Sequence, residues 1–321
     1  MPEEAGYTPA VTASPRRLRV GDADSGQRLD VFLAAQLELS RAQARRLLAR
    51  GAVRIGSRTL SERAKGERVS AGTAIEVERF VRPEDQRALP DPGAGFAVLA
   101  EGSGWLAIDK PAGTPVHPLE PDETGTVLNA LAARHPEVQG VGEGGLRSGV
   151  VHRLDVDTSG VLLFATREGA WRTLRAAFSE HRVEKIYRAV VVGRLEGDGA
   201  IELGFVTARH RPAKVRVVAD AELSRSRGVR LGSLRWRCLE RFERDTLIEV
   251  RPRTGHLHQI RATFAHLGFP IAGDPLYGQP GDSTGAPRQM LHAARVACGE
   301  VAASSPDPAD FRSVCERLRS G

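Results

Sequence analysis

A chain of 321 residues, 41% hydrophobic and 27% charged, has room for a large core and a small accessory domain; its composition is that of an ordinary globular protein. It contains no run approaching the roughly 20 apolar residues that cross a bilayer, and Met1 to Ser14 lacks the basic-then-apolar pattern of a secretory leader, so the cytoplasm is the expected compartment. Cys238, Cys298 and Cys315 are too few and too scattered for a disulfide framework or a paired-cysteine metal site, and a net charge of +6 favours a polyanionic partner.

In chain order, residues 1–17 are expected to be a disordered tail. Residues 18–78 form a compact unit ending in short alternations such as Val53-Arg54-Ile55 and Ile75-Glu76-Val77, which suit half-buried strands. Within it, Ser40-Arg41-Ala42-Gln43 fits a capping box, which predicts a helix starting at Ser40 and stopped by Gly51. At helical spacing Ala44, Leu47 and Leu48 share one face, while Arg41, Arg45, Arg46 and Arg50 spread over the other. Such a basic face serves either as a solvated surface or as a contact for RNA. Of the 46 basic residues 42 are arginine, whose planar fork suits phosphates, although a GC-rich coding bias accounts equally well for that ratio. Residues 79–95, with Pro83, Pro90 and Pro92, read as a linker.

Residues 96–315 alternate apolar, strand-like runs with loops: Phe96 to Ala100, Trp105 to Ile108, Val161 to Ala165, Tyr187 to Val192 and Leu247 to Val250. A short terminal helix is expected over Asp310 to Leu318, with 316–321 as a tail. The most informative stretch is His152-Arg153-Leu154-Asp155-Val156-Asp157-Thr158-Ser159-Gly160, a charged loop feeding the run Val161 to Ala165. Asp155, Asp157 and Ser159 mimic the start of a calcium loop, but Thr166 stands where the bidentate glutamate belongs. His256, His258 and His266 lack the spacing and thiolates of a zinc site, so no metal is expected.

The segment Arg28-Leu29-Asp30, the basic helix and Gly51-Ala52-Val53 together resemble the RNA-binding module named after ribosomal small-subunit protein four, with Gly72-Thr73 a minor departure. The larger part resembles the RluA-type pseudouridine synthases. Their signature H-R-L-D-x-x-T-S-G is matched at 152–160, and several further blocks follow in order. These are Lys110-Pro111-Ala112-Gly113 with His117-Pro118, Thr126 to Leu131, Lys185-Ile186-Tyr187-Arg188-Ala189, His258-Gln259-Ile260-Arg261, Gly273-Asp274-Pro275-Leu276-Tyr277-Gly278 and Leu291-His292-Ala293.

The resemblance implies an α+β fold, with a mixed, mostly antiparallel sheet and a central cleft, preceded by the small RNA-binding domain. It implies that Asp155 is the essential carboxylate, that Tyr187 stacks on the target uracil and is a candidate for proton transfer, that Arg261 pairs with Asp155, and that Arg153 fills the RNA stack where the uridine left. Leu154 and Ile260 would be apolar wall. Whether the aspartate attacks the sugar, attacks the base or removes a sugar proton stays open. The reaction breaks and remakes one glycosidic bond with no redox change, so no cofactor is expected. Large-subunit ribosomal RNA is the expected partner, with transfer RNA and a non-catalytic assembly role as alternatives; no obligate protein partner is evident. His256 and Leu257 depart from the family's basic and small residues, which puts a phosphate contact in doubt.

Overall fold

The computed structural model describes residues 15–93, 95–210, 213–218, 228–279, 282 and 284–320. The chain divides into two units, one of residues up to Arg87 with Gly144–Leu146, the other of Ala88–Glu143 and residues from Arg147 onward. Most of the expected disordered tail lies outside the described residues, but Arg16 and Arg17 belong to a strand.

The smaller unit contains β1 (Arg16–Arg19), α1 (Leu29–Leu37), α2 (Arg41–Ala49), β2 (Val53–Ile55), β3 (Arg58–Leu60) and β4 (Ala74–Val77). Its strands pair antiparallel in the order β1-β4-β2-β3. The capping box closes α2 at its start: the Gln43 amide donates to Ser40 Oγ (3.3 Å) and the Ser40 amide to Gln43 Oε1 (2.5 Å). Gly51, at φ +71°, turns the chain out of the helix, a left-handed conformation that favours glycine. Phe32, Leu33, Leu37, Ala44, Leu48, Val53 and Ile75 form the core, so one face of each helix is buried against the sheet.

The larger unit is built on one ten-stranded sheet, with β5 (Ala97–Gly102), β6 (Trp105–Lys110), α3 (Val127–Arg134), β7 (Ser159–Ala165), α4 (Glu168–Ser179), β8 (Glu184–Val192), β9 (Gly199–His210), β10 (Ala213–Val218), β11 (Arg230–Arg241), β12 (Asp245–Pro252), α5 (Gln259–His266), β13 (Leu291–Cys298), β14 (Val301–Ser304) and α6 (Ala309–Ser320). The order is β10-β9-β11-β12-β8-β13-β7-β6-β5, with β14 on β13. Only the β13–β7 pairing is parallel among the described strands. Every residue of β7 is buried, which is why it reads as an unbroken apolar run rather than an alternation. Gly160, at φ +109°, permits the close approach of β13 to β7: an added Cβ would lie 2.2 Å from the Ala293 carbonyl oxygen on β13.

The terminal helix runs to Ser320, past the expected boundary at 315. Phe311, Val314 and Cys315 on one face are buried against Phe242 and Met290, with Leu318 beside them, so packing carries the helix through the expected tail.

Candidate active site

The loop from Arg153 to Thr158 leads straight into β7 and is held almost residue by residue. Asp155 Oδ2 accepts from Arg261 Nη1 at 2.8 Å. The Val156 carbonyl accepts from Lys110 Nζ (2.7 Å) and the Asp157 carbonyl from Arg288 Nη1 (2.9 Å). Thr158 Oγ1 accepts from Gln289 Nε2 (2.8 Å), and Ser159 Oγ meets both Arg288 Nη2 (3.1 Å) and His292 Nδ1 (3.0 Å). The Thr158 amide closes a turn on the Asp155 carbonyl (3.1 Å). A loop tied at so many points presents its carboxylate in one place, which is what reactive geometry demands.

Arg261 comes from the first turn of α5 and is itself clamped. Its Nε and Nη2 donate to the two oxygens of Asp274 at 2.7 and 2.8 Å, a bidentate pair, and the third nitrogen is thereby aimed at Asp155. The Asp274 side chain is fully buried; its Oδ1 also accepts from the Leu276 and Tyr277 amides. Burial works against the charge on both partners. The contacts to Asp274 and Asp155 outweigh it and raise the Arg261 pKa above its ordinary value, and the contacts to Arg261 and the two amides hold the Asp274 carboxyl below its own.

Tyr187 lies on β8, its ring packed between the cluster containing Leu154 and the one containing Ile260. Burial, helped by the charge of Asp155, pushes its phenol pKa up, so it stays protonated and is a ring and a donor rather than a phenolate base. The structure therefore brings Asp155, Tyr187, Arg261, Leu154 and Ile260 into one neighbourhood. Arg153 is exposed on the same loop.

His152 accepts from the Leu163 amide (3.0 Å) and stacks on Phe178; burial lowers its pKa to about 3, so it remains a neutral scaffold acceptor. Nδ1 of His117 sits 3.0 Å from the Pro118 carbonyl. His256, the departure from the family pattern, is engaged with the Leu231 carbonyl through Nε2 (2.7 Å). Among the described residues no group of three or more His, Cys, Asp or Glu side chains is placed to hold a metal.

In the smaller unit, Arg41 and Arg45 lie over Asp30. Both pair with the wholly buried Asp30, at 3.4 and 2.7 Å, alongside Arg28 at 3.1 Å. Burial alone would raise the Asp30 pKa, but the three guanidiniums hold it well below the usual carboxylate range. Helical spacing groups the four arginines on one polar face; it cannot reveal that the acid of Arg28-Leu29-Asp30 lies under two of them.

In the sequence Lys110 and Asp274 stand inside family motifs with no role attached, and no pattern marks Arg288 or Gln289. Lys110 is fully buried, donating to the Pro111 and Val156 carbonyls, and burial lowers its pKa to about 7. Unfolded lysine titrates near ~10.4, so between these values the unfolded chain holds more protons and stability rises with pH. The thermal midpoint of wild type is therefore expected to rise relative to that of Lys110→Met from about pH 7 to about pH 9, whichever of the two melts higher at pH 7. A wild-type midpoint that falls relative to the variant's, or keeps pace with it, over that range refutes the lowered pKa.

A mostly antiparallel sheet with helices beside it is an α+β fold, and the loop before its buried strand β7 holds an oriented carboxylate. The model of the RNA pseudouridylate synthase family matches residues 104–266, and the chain belongs to that family: it is a pseudouridine synthase acting on RNA. An "Uncharacterized RNA pseudouridine synthase" of Chloroflexus aurantiacus is 35% identical over 98% of this chain and 97% of its own. "Ribosomal large subunit pseudouridine synthase D" of Xanthomonas campestris is 35% identical over 96% of this chain and 93% of its own. Among solved structures, human RNA pseudouridylate synthase domain containing 4 shares the fold with a TM-score of 0.57 at 22% identity, covering 70% of this chain and 93% of that one.

Proposed function

We propose that the enzyme isomerises uridine in large-subunit ribosomal RNA, with Asp155 as the essential carboxylate. The observation that carries the role of Asp155 is the chain Asp274–Arg261–Asp155 beside the Tyr187 ring. A carboxylate so paired is suited to attack or to proton abstraction during glycosyl transfer. Tyr187 serves as a platform for a uracil flipped out of its stack, and exposed Arg153 occupies the gap left behind. The choice of ribosomal RNA is supported by the relatives that bear that name and match along nearly the whole chain, the smaller unit included. Incubating the enzyme with unmodified ribosomal and transfer RNA and mapping pseudouridines is the test. Sites in large-subunit RNA, absent with Asp155→Asn, support the reading; sites only in transfer RNA, or equal signals from both proteins, overturn it.

The smaller unit, read as the small-subunit-protein-four type of module, grips RNA through Arg41, Arg45, Arg46 and Arg50, of which Arg41 and Arg45 also hold Asp30. Replacing Arg46 with Ala is expected to weaken RNA binding and reduce the logarithmic salt slope by about one, with an unchanged thermal midpoint. Replacing Arg41 and Arg45 together is expected to lower the midpoint as well, because Asp30 loses two partners. Salt titrations of binding beside melting curves separate the two pairs; an unaltered slope in the Arg46 variant removes that residue from the RNA contact.

A further inference from the structure

We infer that His258 is the proton acceptor for carbon five of the rotated uracil, its Nε2 lone pair facing the same space as Asp155. This rests on Asp155 being the carboxylate at which the sugar reacts.

His258 precedes α5 and is one of three described non-glycine residues with a left-handed backbone, φ +52° and ψ +19°. Histidine is among the side chains that adopt this conformation most readily, and here it fixes where the imidazole points. The conformation puts Nε2 3.9 Å from Asp155 Oδ1, with the His258 side chain 11% and that of Asp155 22% exposed, so both are open to a ligand rather than sealed. Nδ1 lies 3.1 Å from Tyr277 Oη. That hydroxyl accepts from the Val215 amide (2.9 Å) and donates to the Val215 carbonyl (3.2 Å). A phenol has one proton, within reach of both the Val215 carbonyl and Nδ1; placed on Val215 it leaves the oxygen an acceptor towards Nδ1–H and Nε2 a free base, which is the tautomer the proposed step requires.

The charges around the ring are Asp155 and Asp274, Arg261, which lies over the Tyr277 ring at 5.3 Å, and Lys214, over the same ring at 5.1 Å. Burial is the strongest influence and lowers the His258 pKa, so the imidazole is neutral and able to accept at pH 7.

The chemistry needs such a group. The bond from nitrogen one to the anomeric carbon breaks, the uracil turns, and carbon five bonds to the anomeric carbon as Asp155 leaves or stands by as a carboxylate. Carbon five then carries both the sugar and its original proton. When that proton departs, the pair of the carbon–hydrogen bond returns to the ring and restores the double bond. Nε2 takes the proton; the resulting imidazolium is stabilised by Asp155 and passes the proton to solvent, while nitrogen one takes one from solvent. Atoms and charge balance with no further reactant.

Uridine fluorinated at carbon five separates this step from the rest, because after the new bond forms it has no proton to lose. His258→Asn, which tolerates the left-handed backbone, and His258→Gln should be assayed under single turnover on RNA bearing either base at the target. With uridine the expected loss is on the order of 10²-fold, with a primary deuterium isotope effect at carbon five and loss of the wild-type fall in rate at acid pH. Relative to uridine, cleavage of the fluorinated nucleoside from its nitrogen linkage should be far less affected. Equal slowing of both substrates, or no isotope effect, overturns the assignment. Should Asp155→Asn retain activity on uridine, the failure belongs instead to the reading of Asp155.

Discussion

Asp155→Asn is expected to lower the single-turnover rate of uridine isomerisation by on the order of 10⁴-fold or more, the scale seen when an essential reacting group is removed. It should shift the stability of the larger unit by no more than about 1 kcal/mol. The two effects part company for a structural reason. The amide oxygen of asparagine can still accept from Arg261 Nη1, and the charge of that guanidinium stays balanced by its bidentate bond to Asp274. What vanishes is the anionic oxygen itself. Asp155→Glu tests position rather than charge: one methylene moves the carboxylate by more than an ångström, and a displacement of that size is expected to cost ~10²-fold. Rapid-quench measurements on ribosomal RNA, with melting curves of the same preparations, check both. An Asp155→Asn protein that retains a tenth of wild-type activity places the chemistry on another group.

The site was legible in the sequence to the extent that its residues sit in dense local patterns. Asp155 stands in a charged loop ahead of an apolar run, and its pairing with Arg261 follows from the family likeness. Asp274 was visible only as one letter of Gly273-Asp274-Pro275-Leu276-Tyr277, because a buried carboxylate and a surface one look identical in a string. Arg288 and Gln289 give no periodic or capping signal; they matter because β13 runs parallel to β7 and brings their backbone behind the loop. The core strands β6, β7, β8 and β12 were legible as apolar runs, since burial on both faces removes polar residues. The long strands β9 and β11 were not singled out. Their exposed positions carry arginines and glutamates, as in Arg235-Trp236-Arg237-Cys238-Leu239-Glu240, and pairing across the sheet holds them where intrinsic pattern is weak.

The loop has a common logic with α2 of the smaller unit. In both places a carboxylate is held by guanidiniums, but the exposure differs, and with it the function that is open. Asp30 is wholly buried under its arginines and can only fasten helices together. Asp155 is partly open and keeps Oδ1 clear of Arg261 for a substrate. Asp274 takes the buried structural part in this second cluster, which frees Asp155 from it.

That division makes Asp274→Ala the second large effect. Removing it strips Arg261 of two of its three side-chain hydrogen bonds and leaves a guanidinium, 7% exposed, without its main counter-charge. Breaking a buried pair from one side costs ~3–5 kcal/mol, expected here as a fall in thermal midpoint on the order of 10 °C. Activity should fall with it, because Arg261 is then free to swing wholly onto Asp155 and pull the carboxylate out of line. Asp274→Asn keeps the shape and the contacts to the Leu276 and Tyr277 amides, so it should be milder in stability yet still impaired in rate. The pH response distinguishes a charged pair from a mere space-filler. The Asp274 pKa is lowered in the folded state, so its contribution is present above the unfolded value of ~3.9 and is lost as pH falls through the folded one. Wild type should therefore lose its advantage over Asp274→Asn as the medium is acidified below about pH 4. An advantage that persists undiminished at lower pH, measured by denaturant titration, argues that the pair contributes nothing and that Arg261 is held by packing alone.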